Sequence, residues 1–228
     1  MNILISGASG DIGLSLSNIL SKEHNLYLMG FKSIARLNEF RDNKNIFIIE
    51  ADINDYDMLN DKLGRLEIDV FIHLAAKSYF GLIQDMSICD WNDVISTNLS
   101  SFFYITKIVL PNMIRKKNGK IIAISSIWGK VGASMEVAYS TSKGAIDTFV
   151  KAAAKELAPS NIAVNSINLG LVDTRMNNHL SNEELESLCS DIPFGRAATC
   201  NECSEFIKKI MEMPSYFTGQ NIGFDGAW

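Results

Sequence analysis

The sequence predicts an α/β fold in which one doubly wound parallel sheet of about seven strands carries helices on both faces. Short apolar segments alternate with helical patterns through all 228 residues, and no change in composition marks a boundary. This alternation is typical of βαβ units joined by right-handed crossovers. The segment 69–75 is nearly all apolar, as expected for a strand buried on both faces. We therefore expect a single domain spanning residues 1–228.

Composition and charge argue against several classes of protein. The chain has 21 basic and 26 acidic residues, and its longest basic cluster, Arg115–Lys117, lies at a predicted helix end, so no nucleic-acid partner is expected. No run of about 18 apolar residues and no basic leader occur, so we expect neither a membrane span nor secretion, but a cytoplasmic protein. Four cysteines do not make a disulfide framework. The Cys200–Cys203 pair is interpreted as a helix N-terminus, and no metal is predicted.

The elements of the first half follow in order. Residues 2–5 form a short apolar strand, and a glycine-rich turn then leads into a helix with apolar residues at helical spacing. Further strands are predicted at 25–29 and 46–50, a helix at 56–66 and a fourth strand at 69–75.

The second half continues the same alternation. A long helical pattern at 91–117, interrupted by Pro111, precedes a strand at 121–125 that Gly119 and Lys120 open. The next helix carries Tyr139 and runs to Leu157. A sixth strand is predicted at 162–168, and a polar segment, 175–198, contains a helix at 181–190. A helix at 202–213 and a strand at 221–224 complete the chain.

The glycine-rich turn indicates a nucleotide site. Gly7-Ala8-Ser9-Gly10-Asp11-Ile12-Gly13 stands between a strand and a helix, where glycines let the backbone approach a pyrophosphate at the helix N-terminus. An NAD site usually has an acidic residue after the second strand, but none lies between Glu23 and Glu39. Lys32 could instead meet a 2′-phosphate, which favours NADP, with NAD as the alternative.

Tyr139 and Lys143 indicate acid–base chemistry. Residues four apart share a helix face, so the Lys143 ammonium is expected near the phenol, where it would lower the pKa of Tyr139. A tyrosine tuned in this way can exchange a proton near neutral pH. The glycine-rich turn, Ala75, Ser126 and Gly170 all follow predicted strands, so they should converge with this helix at one edge of the sheet.

Along nearly its whole length the chain resembles the short-chain dehydrogenase/reductase family. Tyr139-Ser140-Thr141-Ser142-Lys143 matches the family's Y-x-x-x-K, and Ser126 and Asn98 stand where the family has its catalytic serine and asparagine. Further matches are 161–167 with Asp173-Thr174, Asp52-Ile53, and 219–222 with Asp225-Gly226.

The resemblance implies a Rossmann-type oxidoreductase that transfers a hydride between a nicotinamide and a small carbonyl or alcohol substrate. The implied catalytic residues are Asn98, Ser126, Tyr139 and Lys143. Tyr139 would protonate the developing alkoxide, and Lys143 would lower the pKa of Tyr139 and hold the nicotinamide ribose. Ser126 would donate a hydrogen bond to the substrate oxygen, and Asn98 would hold a water. The expected cofactor-binding residues are Gly7, Ser9, Gly10, Asp11, Ile12, Gly13, Lys32, Asp52, Ile53, Ala75, Ala76, Tyr139, Lys143, Gly170, Val172 and Thr174. The resemblance also implies a homotetramer or homodimer.

Some positions depart from the pattern of the family's single-domain branch. The glycine spacing and His73-Leu74-Ala75-Ala76 are closer to the family's extended branch, although this chain lacks room for that branch's substrate domain. An acid at Asp11 would repel a pyrophosphate unless its side chain points away. His73 is interpreted as a strand histidine beneath the cofactor site.

Three functions remain open. The first is an NADP(H)-dependent ketoreductase acting on 3-oxoacyl thioesters or similar ketones, favoured by Ile192-Pro193-Phe194-Gly195-Arg196. The second is an enzyme acting on nucleotide-linked or other sugars, and the third is a non-catalytic nucleotide sensor. Met176, His179, Leu180, Leu185 and Leu188 fit either an amphipathic lid over an apolar pocket or a packing helix, and Trp128 could shape the pocket rim. Apolar faces for an oligomer are expected at Phe102, Phe103, Ile146 and Phe149.

Overall fold

The computed structural model describes residues 1–178 and 180–228 and contains one seven-stranded sheet. All neighbouring strands are parallel, in the order β3-β2-β1-β4-β5-β6-β7. The strands are β1 Asn2–Ser6, β2 Asn25–Gly30, β3 Ile46–Glu50, β4 Val70–His73, β5 Gly119–Ser126, β6 Ile162–Leu169 and β7 Asn221–Phe224. The predicted fold class is confirmed, and the predicted strands all occur, with β4 shorter than expected.

Eight α-helices connect and cover these strands in the described part of the chain. They are α1 Asp11–Leu20, α2 Tyr56–Leu63, α3 Ile88–Ile95, α4 Ser101–Lys116, α5 Trp128–Val131, α6 Val137–Leu157, α7 Asn182–Asp191 and α8 Cys200–Glu212. Three short 3₁₀ segments, Ile34–Phe40, Ala158–Ser160 and Arg175–Asn177, lie in the connections. Side chains cap the N-termini of α2, α3, α7 and α8, which explains where these helices begin.

Each face of the sheet has its own apolar core, because successive strand residues point to opposite faces. On one face, Leu16 and Leu20 of α1 pack with Ile207 and Met211 of α8 over alternate residues of the strands. On the other face, α2, α4 and α6 pack their apolar stripes over the remaining strand residues, with Phe71 of β4 among them. The sheet is therefore covered on both faces, as its apolar strands predict.

The long helical pattern at 91–117 is not broken at Pro111, which lies inside α4. The irregularity lies instead at Ser96–Ser100, a π-helical turn between α3 and α4 that contains Asn98. A π turn shifts the following side chains around the helix axis and often occurs at functional sites. The expected interruption was thus misplaced by about three helical turns.

The carboxyl ends of all seven strands lie at one edge of the sheet, because the strands are parallel. The order reverses beside β1, whose neighbours are β2 and β4, and such a switch point opens a crevice for ligands. The glycine-rich turn leaves the sheet at this point. The expected convergence of the turn with the ends of β4, β5 and β6 therefore follows from the topology.

Candidate active site

The glycine-rich turn is packed too tightly for side chains at two of its positions. Gly7 has φ +68°, and a Cβ there would lie 2.6 Å from the backbone nitrogen of Ala75. A Cβ at Gly13 would lie 2.6 Å from the carbonyl oxygen of Gly7. Glycine at both positions lets α1 and the end of β4 approach the turn closely.

The N-terminus of α1 suits a phosphate. Gly10 is its N-cap and has no side chain to accept hydrogen bonds from the first-turn N–H groups of Asp11, Ile12 and Gly13. Such amide groups and the positive end of the helix dipole favour an anion. The carbonyl of Ile12 accepts a hydrogen bond from Ser204 Oγ of α8 at 3.4 Å, which fixes the first turn from behind.

Asp11 points toward two arginines that the sequence analysis missed. Its carboxylate lies 2.8 Å from Arg36 Nη2 and 3.0 Å from Arg175 Nε, and it accepts the backbone N–H of Arg175 at 2.8 Å. Burial alone would raise the pKa of Asp11, but these hydrogen bonds and charges outweigh it and lower the pKa. The negative charge that was expected to repel a pyrophosphate is therefore neutralised within the protein.

The end of β2 is closely packed, and cations lie in the segment that follows it. Gly30 occupies its last position, and a Cβ there would lie 3.3 Å from Ser9 Oγ. Arg36 donates through Nη1 to the carbonyl of Ser9 at 2.7 Å, whereas Lys32 lies exposed in the loop after β2. The sequence does contain a signal for Arg36, because it is a second basic residue, four positions after Lys32, in a stretch without acidic residues.

Two further predicted residues follow β3. Asp52 is half-buried, and its carboxylate accepts the N–H of Asn54 at 3.0 Å. Ile53 packs against the α2, α4 and α6 core. Both lie at the same sheet edge as Gly30, because β3 pairs in parallel with β2.

Ser126 and Tyr139 meet at the end of β5. Ser126 is the last residue of this strand, Tyr139 lies in the first turn of α6, and the Ser126 hydroxyl is near enough to the phenol to act on its pKa. Burial and the Glu136 charge raise the pKa of Tyr139, and the nearby Ser126 hydroxyl only partly offsets this. The structure therefore does not lower the pKa of this phenol, contrary to the sequence expectation, because burial outweighs the stabilisation that its surroundings give the phenolate.

Lys143 lies beside the Tyr139 ring but donates elsewhere. Its Nζ is 5.5 Å from the ring centroid and donates to the carbonyl of Ile124 at 2.7 Å. The side chain is 2% exposed. Burial lowers the pKa of Lys143 to about 8, although the charge of Asp147 acts in the opposite direction.

Asn98 is buried in the π-helical turn and holds the chain after β4. Its Oδ1 accepts the N–H of Lys77 at 2.8 Å, and its Nδ2 donates to the carbonyl of Lys77 and to Ser142 Oγ, each at 2.9 Å. Both polar atoms of the side chain are therefore hydrogen-bonded, and they join the segment after β4, the π turn and α6. Its expected contact with a water would fall to the backbone carbonyl.

That carbonyl of Asn98 lies 3.2 Å from His73 Nε2, and His73 Nδ1 lies 2.8 Å from Ser6 Oγ. A carbonyl can only accept, so Nε2 carries the proton and Nδ1 accepts from Ser6. Complete burial and the Lys143 charge lower the pKa of His73 to about 3, so the ring is neutral. The interpretation of His73 as a strand histidine beneath the site is confirmed, and its contact with Asn98 is new.

The other predicted cofactor residues follow β4 and β6, at the same edge of the sheet. Ala75 and Ala76 follow β4, and the N–H of Gly170 donates to the carbonyl of Phe224 at 3.0 Å. Val172 is buried and pairs with Ala198. Thr174 lines a cavity of about 680 Å³ between the loop after β6 and α7.

This cavity differs from the expected apolar pocket. Leu180 and Leu185 line it, but so do Asn177, Asn178 and Arg196. Helix α7 forms one wall of the cavity, and it contains no fully buried residue. His179, one of the predicted lid residues, lies outside the described residues.

Trp128 and Trp228 form an aromatic pair beside Ser126. Their ring centroids are 4.9 Å apart at an interplanar angle of 69°. The backbone N–H of Trp128 donates to Ser126 Oγ at 3.2 Å. The C-terminal segment therefore reaches the neighbourhood of Ser126, next to the predicted rim residue.

Two of the apolar residues expected on an oligomer face are internal. Phe102 and Ile146 are 0% exposed, because α4 and α6 pack them against the sheet. That expectation was wrong for these two residues. Phe103 is 46% exposed and remains on the surface.

All four cysteines are free thiols. Cys200 begins α8, which confirms the interpretation of the Cys200–Cys203 pair as a helix N-terminus. Burial raises the pKa of both thiols, that of Cys203 to about 12. Within residues 1–178 and 180–228, no three His, Cys, Asp or Glu side chains are grouped as metal ligands. No helix in this part of the chain has the length and apolarity to cross a bilayer.

Comparison with known proteins identifies relatives along the whole chain. Residues 1–185 match the family model described as short chain dehydrogenase. An oxidoreductase of Bacillus subtilis (strain 168) named YmfI, described as uncharacterized, is 39% identical over 99% of this chain and 97% of its own length. The 3-oxoacyl-[acyl-carrier-protein] reductase FabG of Buchnera aphidicola subsp. Baizongia pistaciae (strain Bp) is 34% identical over 98% of this chain and 95% of its own length.

Two solved structures are similar in fold. ElxO with NADP bound has a TM-score of 0.88 and 26% identity, with 99% of this chain and 97% of that chain covered. A single-substitution variant of actinorhodin polyketide ketoreductase with NADPH has a TM-score of 0.91 and 26% identity, with 99% and 95% covered. The family match and the relatives agree with the geometry of the site. The chain belongs to the short chain dehydrogenase family and is an oxidoreductase.

Proposed function

We propose that this enzyme is an NADPH-dependent ketoreductase acting on 3-oxoacyl thioesters or similar ketones. The observation that carries the proposal is the grouping of Ser126, Tyr139 and Lys143 at the edge where the glycine-rich turn leaves the sheet: the Ser126 hydroxyl is near enough to lower the pKa of Tyr139, and the Lys143 ammonium lies 5.5 Å from the Tyr139 ring centroid. The relatives named 3-oxoacyl-[acyl-carrier-protein] reductase and the neighbour named ketoreductase favour this substrate class. Their oxidoreductase names favour an enzyme over a non-catalytic sensor.

The residues present fit a dinucleotide with a 2′-phosphate. The uncapped first turn of α1 would bind the pyrophosphate, and the loop after Gly30, at the end of β2, would contact the adenosine ribose. Arg36 and Lys32 supply positive charge there, which favours a phosphate. Both neighbouring structures carry NADP or NADPH, which supports this choice.

The catalytic roles follow from what each side chain can do. The bound nicotinamide supplies the hydride. Ser126 donates a hydrogen bond to the substrate oxygen, where negative charge develops. Tyr139 gives its proton to the same oxygen. Its raised pKa keeps the phenol protonated at neutral pH, which suits reduction of a ketone to an alcohol.

Lys143 and Asn98 complete the proposed site. The Lys143 ammonium lies over the Tyr139 ring and would hold the ribose of the cofactor. Asn98 holds residue 77 through its side chain, and its carbonyl accepts from the buried His73 ring. We therefore assign two roles to Asn98: its side chain fixes the π turn, and its backbone carbonyl would hold the expected water.

The test measures NADPH and NADH oxidation by the purified protein. The substrates are acetoacetyl thioesters, simple diketones and keto-sugar nucleotides, and the control is Tyr139→Phe. We expect turnover of the thioesters with NADPH and its loss in the variant. Turnover of the keto-sugar nucleotides alone would replace the ketoreductase with the sugar-modifying alternative. No turnover of any substrate, with cofactor bound, would count against the proposal.

The proposal also includes the organisation of the chain. Residues 1–228 are taken as one domain, with 175–198 as its substrate loop, because α8 and β7 complete the same sheet and cores as α1 and β1. A homotetramer or homodimer and a cytoplasmic location remain predictions. Light scattering that finds only monomer at micromolar concentration would contradict the predicted oligomer.

A further inference from the structure

A chain of buried hydrogen bonds joins α6 to the end of β5 behind the catalytic groups. The Asp147 carboxylate, on α6, accepts Ser166 Oγ at 2.8 Å and Asn168 Nδ2 at 2.5 Å. The same Asn168 nitrogen donates to the backbone carbonyl of Ser126 at 3.2 Å. Asp147 is 6% exposed and Asn168 is 0% exposed. Two hydrogen bonds through β6 thus connect Asp147 with Ser126.

Asp147 lies on the same helix face as the catalytic pair. Tyr139, Lys143 and Asp147 follow at intervals of four residues, so each lies about one turn beyond the last. Ser125 Oγ also donates to the carbonyl of Lys143 at 3.2 Å, which is a second link between β5 and α6. A displacement of α6 along the sheet would strain both links and change the distance between the Ser126 hydroxyl and the Tyr139 phenol.

The charge of Asp147 also acts on Lys143. The titratable groups that face this ammonium are Tyr139 and Asp147 on α6 and His73 on β4, and Glu136 lies near Tyr139. His73 and Tyr139 are neutral at pH 7, for the reasons given above. Asp147 therefore supplies the negative charge that raises the pKa of Lys143 against burial.

We propose that Asp147 is a positioning residue of this active site, which holds Ser126, through Asn168, in register with Tyr139 and Lys143. The inference rests on the proposed function, since it concerns the same catalytic groups. A buried carboxylate is costly unless it is hydrogen-bonded, and here two donors satisfy it. Its charge has a second effect, because it keeps Lys143 protonated to higher pH. A protonated Lys143 beside Tyr139 stabilises the phenolate that forms when Tyr139 gives up its proton.

The experiment compares Asp147→Asn with Glu156→Gln. Glu156 is an exposed acid on the same helix, so its variant makes the same chemical change away from the site. Two readouts are measured for each protein: the pKa of Lys143 by lysine-selective NMR titration of the free protein, with Lys143→Arg for assignment, and the pH profile of kcat. Circular dichroism and NADPH titration check that each variant folds and binds cofactor.

In Asp147→Asn we expect the pKa of Lys143 to fall by about half a unit or more. The alkaline limit of kcat should move to lower pH by a similar amount, and kcat at pH 7 should fall about fivefold or more. The Glu156→Gln protein should match the wild type in each respect. A Lys143 pKa and a kcat profile in Asp147→Asn that both match Glu156→Gln would overturn the inference.

A second variant keeps the test decisive if Asp147→Asn does not fold. Asn168→Ser leaves the carboxylate in place and removes the link to Ser126. We expect a lower kcat at every pH, with the NADPH affinity and the pKa of Lys143 unchanged, and a wild-type kcat would overturn the positioning role. The NMR titration needs no substrate. A wild-type protein that reduces nothing in the panel would therefore count against the proposed function alone.

Discussion

Asp11 and Arg175 connect the glycine-rich turn with the loop after β6. The carboxylate accepts both the backbone N–H of Arg175, at 2.8 Å, and its Nε, at 3.0 Å. These residues lie far apart in the sequence, and the parallel sheet brings them to one edge. The glycine-rich turn and the start of the segment 175–198 are thus joined directly, without an intervening element.

Replacing Asp11 with Asn should raise the affinity for NADPH and change the stability of the protein only slightly. The variant removes a negative charge beside the predicted pyrophosphate site and releases Arg36 and Arg175, so NADPH should bind several-fold more tightly. Partly exposed ion pairs contribute little, so thermal unfolding should show a loss of about 1 kcal/mol or less. Asp57→Asn, in the first turn of α2, is the matched control. Weaker NADPH binding by the Asp11 variant in a fluorescence titration would contradict the prediction.

Arg36 should contribute more than Lys32 to the choice between NADPH and NADH. A charged hydrogen bond is worth about 1.5–3 kcal/mol, so Arg36→Ala should weaken NADPH binding about 10- to 100-fold. NADH binding should change little, because it has no 2′-phosphate. Lys32→Ala, which alters an exposed side chain, should have a smaller effect. Equal losses for both cofactors in calorimetric titrations would refute the assignment of Arg36 to the phosphate.

Tyr139→Phe should remove activity without unfolding the protein. The phenol oxygen provides the proposed proton, and general acid catalysis is worth about 10²- to 10⁴-fold. We expect kcat to fall within this range, while NADPH still binds and the thermal unfolding temperature shifts by only a few degrees. Ser126→Ala should lower kcat as well, since it removes the donor to the substrate oxygen. Substantial activity in the Tyr139 variant would mean that another group supplies the proton.

His73 should make the protein less stable in acid. Its pKa in the folded state is about 3, compared with 6.5 for a free histidine, so the unfolded chain binds a proton that the folded protein does not. The stability is complete above pH 6.5 and falls with decreasing pH toward 3, by about 1.4 kcal/mol per pH unit for one proton. His73→Gln keeps a donor for Asn98 and should remove this slope in urea unfolding at several pH values. An unchanged slope would show that other groups cause the acid sensitivity.

Two similar caps should differ in their effect on stability. Thr199 and Glu202 cap α8, which contributes five buried residues, whereas Ser181 and Glu184 cap α7, which contributes none. Thr199→Ala should therefore lower the free energy of unfolding by about 1 kcal/mol. Ser181→Ala should leave global unfolding unchanged, because α7 can fray while the cores stay intact. Equal effects in chemical denaturation would show that α7 unfolds together with the rest.

Glu202, the acid that caps α8, should make the stability of the protein depend on pH. Hydrogen bonds from Arg196 and Thr199 lower the pKa of Glu202 from 4.5 to about 2. Its contribution to stability is complete above pH 4.5 and is lost as the pH falls toward 2. This window lies below most of the His73 range, so the two can be separated by comparing Glu202→Gln with His73→Gln.

Much of the fold was predictable because local patterns agree with the tertiary structure. The alternation of apolar segments identifies the strands. The glycines identify the turn after β1, because only glycine permits such close packing there. The π turn at Asn98 was not predictable, because its register depends on hydrogen bonds to residue 77 and to Ser142. The misplaced break at Pro111 has a similar cause: packing of α4 on the sheet outweighs one missing hydrogen bond.

The site was predictable in its residue types and less so in its electrostatics. Tyr139, Ser126 and Lys143 could be named from spacing and resemblance, but spacing does not report burial, which governs the pKa of Tyr139 and of Lys143. Arg36, Arg175 and Asp147 act through partners that lie 19 or more residues away in sequence. Such partners become visible only when the strands are assembled in order.

The packing of α1 against α8 has a consequence for synthesis of the chain. Leu16 and Leu20 share one core with Ile207 and Met211, so α1, which is synthesised early, is covered by α8, which is synthesised much later. A nascent chain shorter than about 200 residues exposes this apolar surface, and during that interval it is open to chaperones and to aggregation. The nucleotide crevice, whose first helix needs that cover, should therefore be among the last parts of the protein to become rigid.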